Sequence, residues 1–394
     1  MSKCYSLGLR LRGMVIFRKL LEDEVLLNLT QLLELDSPND GISRYALFAA
    51  ALYEKGDNLS DYILSMVLRD ENLYMLRVAQ KKPISAMIQE CMEQELLLLE
   101  EISRLSPQML REALGYDGFL PSYYCSEHDF MAAYAERAAQ ISRYGYGVFA
   151  GNRAFIIENH TLAPVRNPDP VTLDRLPGYQ RERQLVVNNT LALIEGRPAA
   201  NVLLYGDSGT GKSSTVKAIV NEYAHRGLRL IELKKNQLTE ISALLDRLST
   251  NPLSFILFID DLSFTKDDDN FAALKAILEG SISYKNDNVV VYATSNRRHL
   301  VKENFSDREG DEIHLGDTIA ELTSLSDRFG LTVTFERPGK RQYLEIVLRL
   351  AQINGITQSE EALIAHAETF ALRRAGRSPR VAKQFIESLL ADQT

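Results

Sequence analysis

The stretch Gly206-Asp207-Ser208-Gly209-Thr210-Gly211-Lys212-Ser213 constrains the fold of this chain more than any other. It reads G-x-x-x-x-G-K-S and lies between a short apolar run, Val202 to Tyr205, and a helical pattern starting near Lys212. Strand, glycine-rich loop and helix in that order form a P-loop, whose backbone amides cradle phosphates. Glycines at 206, 209 and 211 permit the backbone conformations that turn successive N–H groups inward. The helix N-terminus behind the loop adds its partial positive charge. Lys212 is expected to reach the β- and γ-phosphates, and the Ser213 hydroxyl to complete the shell of a Mg²⁺ ion. With Ser214 following, residues 206–214 are the expected binding segment for a nucleoside triphosphate. A glycine-rich turn can imitate the string, but here the fixed positions and both flanks agree.

At 394 residues, the chain has room for two or three domains around this element. Its 45% hydrophobic and 25% charged content permits a sizeable core and argues against global disorder. A net charge of -8 argues against a broad nucleic-acid footprint, though a local basic patch remains compatible with it. Cys4, Cys91 and Cys125 are few and far apart, which fits a reducing cytoplasm. Cys125-Ser-Glu-His128 lacks a matching second pair and reads as structural, not as a metal site. No apolar run approaches the ~20 residues that span a bilayer. Met1 to Met14 carries no signal-peptide core with a cleavage site, so a cytoplasmic protein without a membrane partner is expected.

Residues from about Met14 to Tyr146 read as helical. Leu20 to Leu33 recur at helical spacing, and Ser37-Pro38-Asn39-Asp40-Gly41 breaks the run. Tyr45 to Leu52 follows, closed by Gly56-Asp57-Asn58, then one helix from Asp61 to Val78 and another from Met87 to Ile102. Leu96 to Leu99 reads as bundle core, with a docking stripe as the alternative. The tyrosines at 123, 124, 134, 144 and 146 have only Arg137 and Arg143 nearby, so packing is preferred over base stacking. Gly147 to Ile157 is expected to form a hairpin turning at Gly151-Asn152, and Pro164, Pro168 and Pro170 to mark a linker. The expected organisation is a helical N-terminal domain over 1–146, hairpin and linker over 147–175, a nucleotide-binding α/β domain over 176–338 and a helical lid over 339–394.

A helix is expected to open after Leu176-Pro-Gly-Tyr179 and run through Leu193 to the P-loop strand. The helix after the P-loop should stop at Gly227, followed by a strand at Leu228–Leu233 and a helix at Ile241–Leu248. Phe255 to Ile259 is wholly apolar, as expected for a strand buried on both faces of a parallel sheet. It delivers Asp260 and Asp261 at its carboxyl end, where doubly wound sheets bind ligands. Asp260 is placed to hold Mg²⁺, and Asp261 to act as base or to orient water. Without a P-loop upstream, such a pair would pass for a solvated turn. Val289 to Thr294 is a further buried strand, and the amide of Asn296 beyond it is placed to reach a γ-phosphate or the attacking water. Ser326-Asp-Arg328-Phe-Gly330 precedes a strand at Leu331–Phe335, and three helical pieces close the chain. Thr357-Gln-Ser-Glu360 reads as a capping box for the second. Ser378-Pro379 starts the third, leaving Arg380 in a first turn, where a cation opposes the helix dipole and calls for an anionic partner.

From about Leu176 onward the chain resembles the AAA+ ATPases, matching five motifs in the family's order. Gly206–Ser213 matches Walker A, Ile256–Asp261 Walker B, Asn296 sensor 1, Arg328 the Arg-Phe-Gly arginine finger, and Arg380 sensor 2. Within that superfamily it is most similar to the bacterial ATP-binding proteins catalogued as domain of unknown function 815. The Gly-Asp-x-Gly-Thr-Gly-Lys-Ser loop, Asp-Asp-Leu-Ser-Phe264 and Arg-Ser-Pro-Arg380 carry that likeness. The resemblance implies an α/β P-loop sheet with a helical lid, ATP between them, and a homo-oligomer in which Arg328 serves a neighbour's ATP in trans. Adenine specificity rests on this resemblance, with Tyr179 and its neighbours as the expected base pocket. Two departures stand out. Walker B ends Asp260-Asp261 where most relatives have Asp-Glu, which points to slow turnover, and Lys234-Lys-Asn-Gln237 lacks the pore signature of protein-threading members.

Three functions follow as expectations. The first is a Mg²⁺-dependent ATPase that remodels a macromolecular partner, recruited through the N-terminal helices. The second is an ATP-gated scaffold with little turnover. The third, not favoured, is nucleic-acid loading through Arg297, Arg298 and Lys302, or through Arg373, Arg374, Arg377 and Arg380.

Overall fold

The computed structural model describes residues 3–35, 38–262, 269–279, 287–296, 328–374 and 376–391. These divide into two compact units, Met1–Gly151 and Asn152–Thr394.

The first unit is helical: α1 (Lys3–Arg12), α2 (Glu24–Leu33), α3 (Pro38–Lys55), α4 (Leu59–Arg69), α5 (Leu73–Ala79), α6 (Ala86–Ser103), α7 (Pro107–Leu114), α8 (Phe130–Ala139) and α9 (Ile141–Tyr144). Polar caps set the boundaries. Asp23 accepts from the amides of Val25 and Leu26, which starts α2. The single helix expected over 61–78 is two, because Asn72 caps Met75 at 2.9 Å and starts a new helix. α3 begins at Pro38, within the stretch expected to be a break. The leucines of α6 behave as core: Leu96, Leu98 and Leu99 are buried and only Leu97 faces out. Glu95 beside them is buried too, its carboxylate accepting from the amides of Val15, Ile16 and Phe17 at 2.6 to 3.2 Å. Tyr123 and Tyr134 are core residues; the Tyr123 hydroxyl donates to the Leu105 carbonyl at 2.6 Å. His128 lies 2.5 Å from Asp61, and no group of three or more His, Cys, Asp or Glu among the described residues could hold a metal.

The second unit is built on a seven-stranded sheet, ordered β2-β1-β4-β5-β6-β3-β7. Its strands are β1 (Ala154–Glu158), β2 (Thr161–Pro164), β3 (Val202–Gly206), β4 (Leu228–Leu233), β5 (Ser254–Ile259), β6 (Val289–Ser295) and β7 (Leu331–Phe335). All pairings are parallel except β1 with β2. The helices are α10 (Gln180–Ile194), α11 (Lys212–Tyr223), α12 (Ile241–Ser249), α13 (Asp269–Glu279), and a C-terminal set of α14 (Lys340–Ile353), α15 (Glu360–Arg373) and α16 (Pro379–Ala391). Burial explains the composition of the strands. Phe255 to Ile259 are all at most 1% exposed, as a central parallel strand covered on both faces requires.

Two sequence expectations change here. The hairpin turns at Asn159-His160, not at Gly151-Asn152, and both turn residues have positive φ, 48° and 60°. Two consecutive residues in that region fit the twist of a two-residue hairpin, and asparagine and histidine tolerate it better than most. The stretch expected as hairpin and linker over 147–175 therefore contributes to the sheet, since β1 pairs with β4 from Ala154↔Leu230 onward. Pro164 closes the edge strand β2, where a missing N–H costs no ladder bond. The cap of α15 is Ser359, which accepts from Ala362, not Thr357. Ser378 starts α16 as expected, accepting from the Val381 amide at 3.2 Å.

Candidate active site

Parallel strands place all their carboxyl ends along one edge, and β3, β5 and β6 deliver the candidate residues there. Gly206, Gly209 and Gly211 have φ of 138°, 80° and 95°. A Cβ on Gly206 would lie 2.1 Å from the Phe335 carbonyl oxygen on β7, so glycine is required by the neighbouring strand as well as by φ. Thr210 ties the loop by donating to the Asp207 carbonyl at 2.8 Å, and Thr215 donates to the Gly211 carbonyl at 2.9 Å.

Lys212 is buried at the start of α11. Its ammonium donates to the carbonyls of Gly206 (2.7 Å) and Asp207 (2.8 Å) and to Asn296 Oδ1 (3.0 Å). Burial holds its pKa below the ordinary lysine value; Asp207, Asp260 and Asp261 oppose that shift and the cationic Arg380 adds to it. The Asn296 amide in turn donates to Asp261 Oδ1 at 2.8 Å. Ser213 Oγ donates to Asp260 Oδ1 at 2.6 Å, and Thr294 Oγ1 to the same oxygen at 2.5 Å. Asp261 has a left-handed backbone, φ 52°, and its amide donates to Thr294 Oγ1 at 2.9 Å.

The order of the strands makes this meeting possible. β6 lies between the P-loop strand β3 and the acidic strand β5, so Asn296 emerges between Lys212 and Asp261. On the lid side, the amide of Arg380 donates to the Gly209 carbonyl at 3.1 Å, and its guanidinium lies 3.5 Å from Ser208 Oγ. A side chain at Gly209 would be tight beneath that helix: a Cβ would lie 3.1 Å from Arg380 Cβ and 3.3 Å from Ser378 Oγ.

Between the P-loop and the lid is a cavity of ≈ 480 Å³, within the range of small-molecule sites. Ser208 to Ser214, Asp260, Asp261 and Asn296 line its polar end. Leu176, Pro177, Ile346 and Leu350 form an apolar wall, and Arg175, Arg183 and Lys383 also face it. Tyr179 is not part of this lining. It is buried with φ 53°, its ring 5.2 Å from that of Phe335 and its hydroxyl donating to the Glu336 carbonyl at 2.5 Å. Burial pushes the phenol up to about 12, and its hydroxyl ties the residue before α10 to the residue after β7. Arg183 donates to the Gly178 carbonyl, and burial lowers its guanidinium to about 10.

Arg328 does not join the cluster. It precedes β7, whose Leu331 pairs with Val202 and whose Phe335 pairs with Gly206, so four strand steps of ~3.3 Å, about 13 Å, separate that end of β7 from the P-loop. Gly330 lies against Ala200, before the first residue of β3. Arg328 is therefore at the amino end of the sheet, away from the P-loop of its own chain. Ser263 and Phe264 of the acidic tract, and Arg297, Arg298 and Lys302, lie outside the described residues. Thr294 and the apolar wall were not picked out in the sequence. Thr294 had one signal, its place near the end of a buried strand, two residues before Asn296.

Fold and site together define an α/β protein whose mainly parallel sheet carries a glycine-rich phosphate-loop turn after β3, with a C-terminal helical set and a helical N-terminal unit. The chain belongs to the family described as Protein of unknown function (DUF815), which matches residues 150–393. No curated protein matches the chain. Among solved structures it is similar to the Thermotoga maritima RuvB Holliday junction branch migration motor, at 18% identity and a TM-score of 0.38, over 56% of this chain and 65% of that one. Two single-substitution variants of that motor give the same TM-score of 0.38, at 17% and 18% identity. Among the described residues, no helix is long and apolar enough to cross a membrane.

Proposed function

We propose that this chain is a Mg²⁺-dependent ATPase that works as a homo-oligomer and couples hydrolysis to remodelling of a macromolecular partner. One observation carries the reading: Lys212, Ser213, Asp260, Asp261 and Asn296 meet in one hydrogen-bonded cluster under a lid that carries Arg380. Lys212 and Arg380 are two cations converging on one cavity, and Arg380 disfavours the charged form of Lys212. A polyphosphate between them relieves that repulsion.

In this reading the Lys212 ammonium exchanges the Gly206 and Asp207 carbonyls for β- and γ-phosphate oxygens. The donor set fits Mg²⁺: Ser213 Oγ and Asp260 Oδ1 are hard oxygens 2.6 Å apart at an accessible edge. A Mg²⁺ held there would offset charge on the phosphates. Asp261 orients the attacking water, and Asn296 holds Asp261 in register with Lys212. Arg380 follows the phosphates as the lid closes. Leu176, Pro177, Ile346 and Leu350 cover the apolar faces of the base. Arg328, remote from its own P-loop, serves the site of a neighbouring subunit.

The ATP-gated scaffold keeps one observation in its favour. The Asp261 carboxylate is short, sits on a left-handed residue and is already bonded to Asn296. Nucleic-acid loading draws less support from the lid, where Arg377 is paired with Glu368 at 2.7 Å and Arg374 lies over the ring of Phe370. The helical N-terminal unit is assigned to partner recognition, and a cytoplasmic location is part of the same reading.

The test is the ATPase rate per subunit, with Mg²⁺, as a function of protein concentration. A rate that climbs with concentration supports a site completed by a neighbour. A flat rate near zero with ATP bound turns the reading toward the gated scaffold. Absence of nucleotide binding overturns both.

A further inference from the structure

Thr294 is the member of the cluster that the AAA+ reading leaves without a task. It is 2% exposed, on β6 opposite Leu204 of the P-loop strand. Its hydroxyl bonds both ways: the single proton goes to Asp260 Oδ1 at 2.5 Å, and the oxygen accepts from the Asp261 amide at 2.9 Å. Thr294 therefore bonds to both acidic residues at once, to the side chain of the first and the backbone of the second.

Tracing the bonds shows what that link completes. Lys212 bonds to Asn296, Asn296 to Asp261, Asp261 to Thr294, Thr294 to Asp260, and Asp260 to Ser213, the residue after Lys212. The circuit closes on the P-loop. Asp261 gains from such a tie: the left-handed region is uncommon for a non-glycine residue, aspartate tolerates it better than most, and the bond from its amide to Thr294 fixes it at φ 52°. One carboxylate oxygen of Asp260 receives both hydroxyls, which turns the group toward Ser213.

We propose that Thr294 is a positioning residue that sets the Asp260 carboxylate for Mg²⁺ and holds the Asp261 backbone in its left-handed turn, so that the two carboxylates act as one unit. The inference rests on the nucleotide-site reading above. It predicts that the hydroxyl, not the methyl group, carries the role.

The test uses the full chain as wild type, Thr294→Val and Thr294→Ser, with a fluorescent ATP analogue. MgCl₂ is titrated and the midpoint of the Mg²⁺-dependent signal is read; affinity for the analogue is read separately in EDTA. Thr294→Val should raise the Mg²⁺ midpoint by roughly 10–100-fold, the usual cost of losing an outer partner of a metal ligand. Its affinity in EDTA should stay at the wild-type value, since the P-loop is intact, and Thr294→Ser should restore the midpoint. A wild-type midpoint in Thr294→Val overturns the proposal and leaves the nucleotide site standing. So does a Thr294→Ser variant shifted as far as Thr294→Val, or a parallel loss of affinity in EDTA. A wild-type chain with no Mg²⁺-dependent signal overturns the proposal together with the ATPase reading.

Discussion

Replacing Gly206 by alanine tests whether the P-loop is anchored by the adjacent strand. The new Cβ would lie 2.1 Å from the Phe335 oxygen and 2.7 Å from its carbonyl carbon. Both are backbone atoms, so no side chain can swing aside. Reaching an ordinary 3.4 Å contact requires the strands to part by about 1.3 Å, the difference between 3.4 and 2.1 Å. That movement breaks ladder bonds at the Gly206↔Phe335 end of the β3–β7 pair, each worth ~1 kcal/mol net. A side chain held at φ 138° adds ~1–3 kcal/mol of strain. The sum is roughly 3–5 kcal/mol, a large share of the ~5–15 kcal/mol that stabilises a typical domain. At ~2–4 °C per kcal/mol the melting temperature should fall by roughly 6–20 °C. Gly211→Ala is the control: its φ is 95°, yet no heavy atom lies within 4 Å of its Cβ. It should cost only the ~1–2 kcal/mol of a left-handed residue. Urea and thermal denaturation followed by circular dichroism, without nucleotide, compare the two. Wild-type melting of Gly206→Ala, or equal losses in both variants, would refute the reasoning.

Lys212→Ala should abolish ATP binding in calorimetry; unchanged affinity removes the P-loop assignment. Because burial depresses the pKa of Lys212 and phosphates favour its charged form, ATP affinity should fall as pH rises from that depressed value toward 10.5. The sign for stability is opposite: the folded chain binds fewer protons than the unfolded one there, so the ligand-free fold gains stability with pH. Calorimetry in two buffers of different ionisation enthalpy should show proton uptake on binding in that window, and none in Lys212→Ala. Arg328→Ala should leave ATP affinity intact and lower turnover by ~10³-fold or more, as finger removal does elsewhere; a wild-type rate shows that the finger lies elsewhere. Asp261→Asn keeps the bond from Asn296 but loses the charge, and should bind ATP while losing turnover by ~10²-fold or more, as expected for a base or water-orienting group. A steady-state rate equal to wild type refutes that role.

The part of the site legible in the sequence was the part made by local geometry. Glycine positions declare the loop because positive φ is a property of single residues. An apolar run of five ending in two aspartates declares a central strand and its carboxyl end, since burial on both faces leaves no polar position within it. Ser378 and Pro379 declare the helix that brings Arg380, because capping is settled within one turn. Tyr179 was misread for a related reason. Its place beside Leu176 and Pro177 is local, but whether its ring meets the cavity or Phe335 depends on a strand 156 residues away, Phe335 on β7.

The sequence by itself determined that a P-loop, an acidic strand end, an amide-bearing strand end and a basic helix start all exist. Each is encoded within a few residues by backbone freedom, alternation or capping. Only the tertiary structure decided that they form one site. Inserting β6 between β3 and β5 places Asn296 between Lys212 and Asp261 and lets Thr294 join the two aspartates. Parallel register puts Arg328 at the opposite end of β7 from its own P-loop. The apolar wall of the cavity pairs Leu176 and Pro177 with Ile346 and Leu350, brought together by the packing of the C-terminal helices and by no local pattern. Strand order and lid packing follow from burying the apolar faces of the whole unit at once, a condition that no short window of residues expresses.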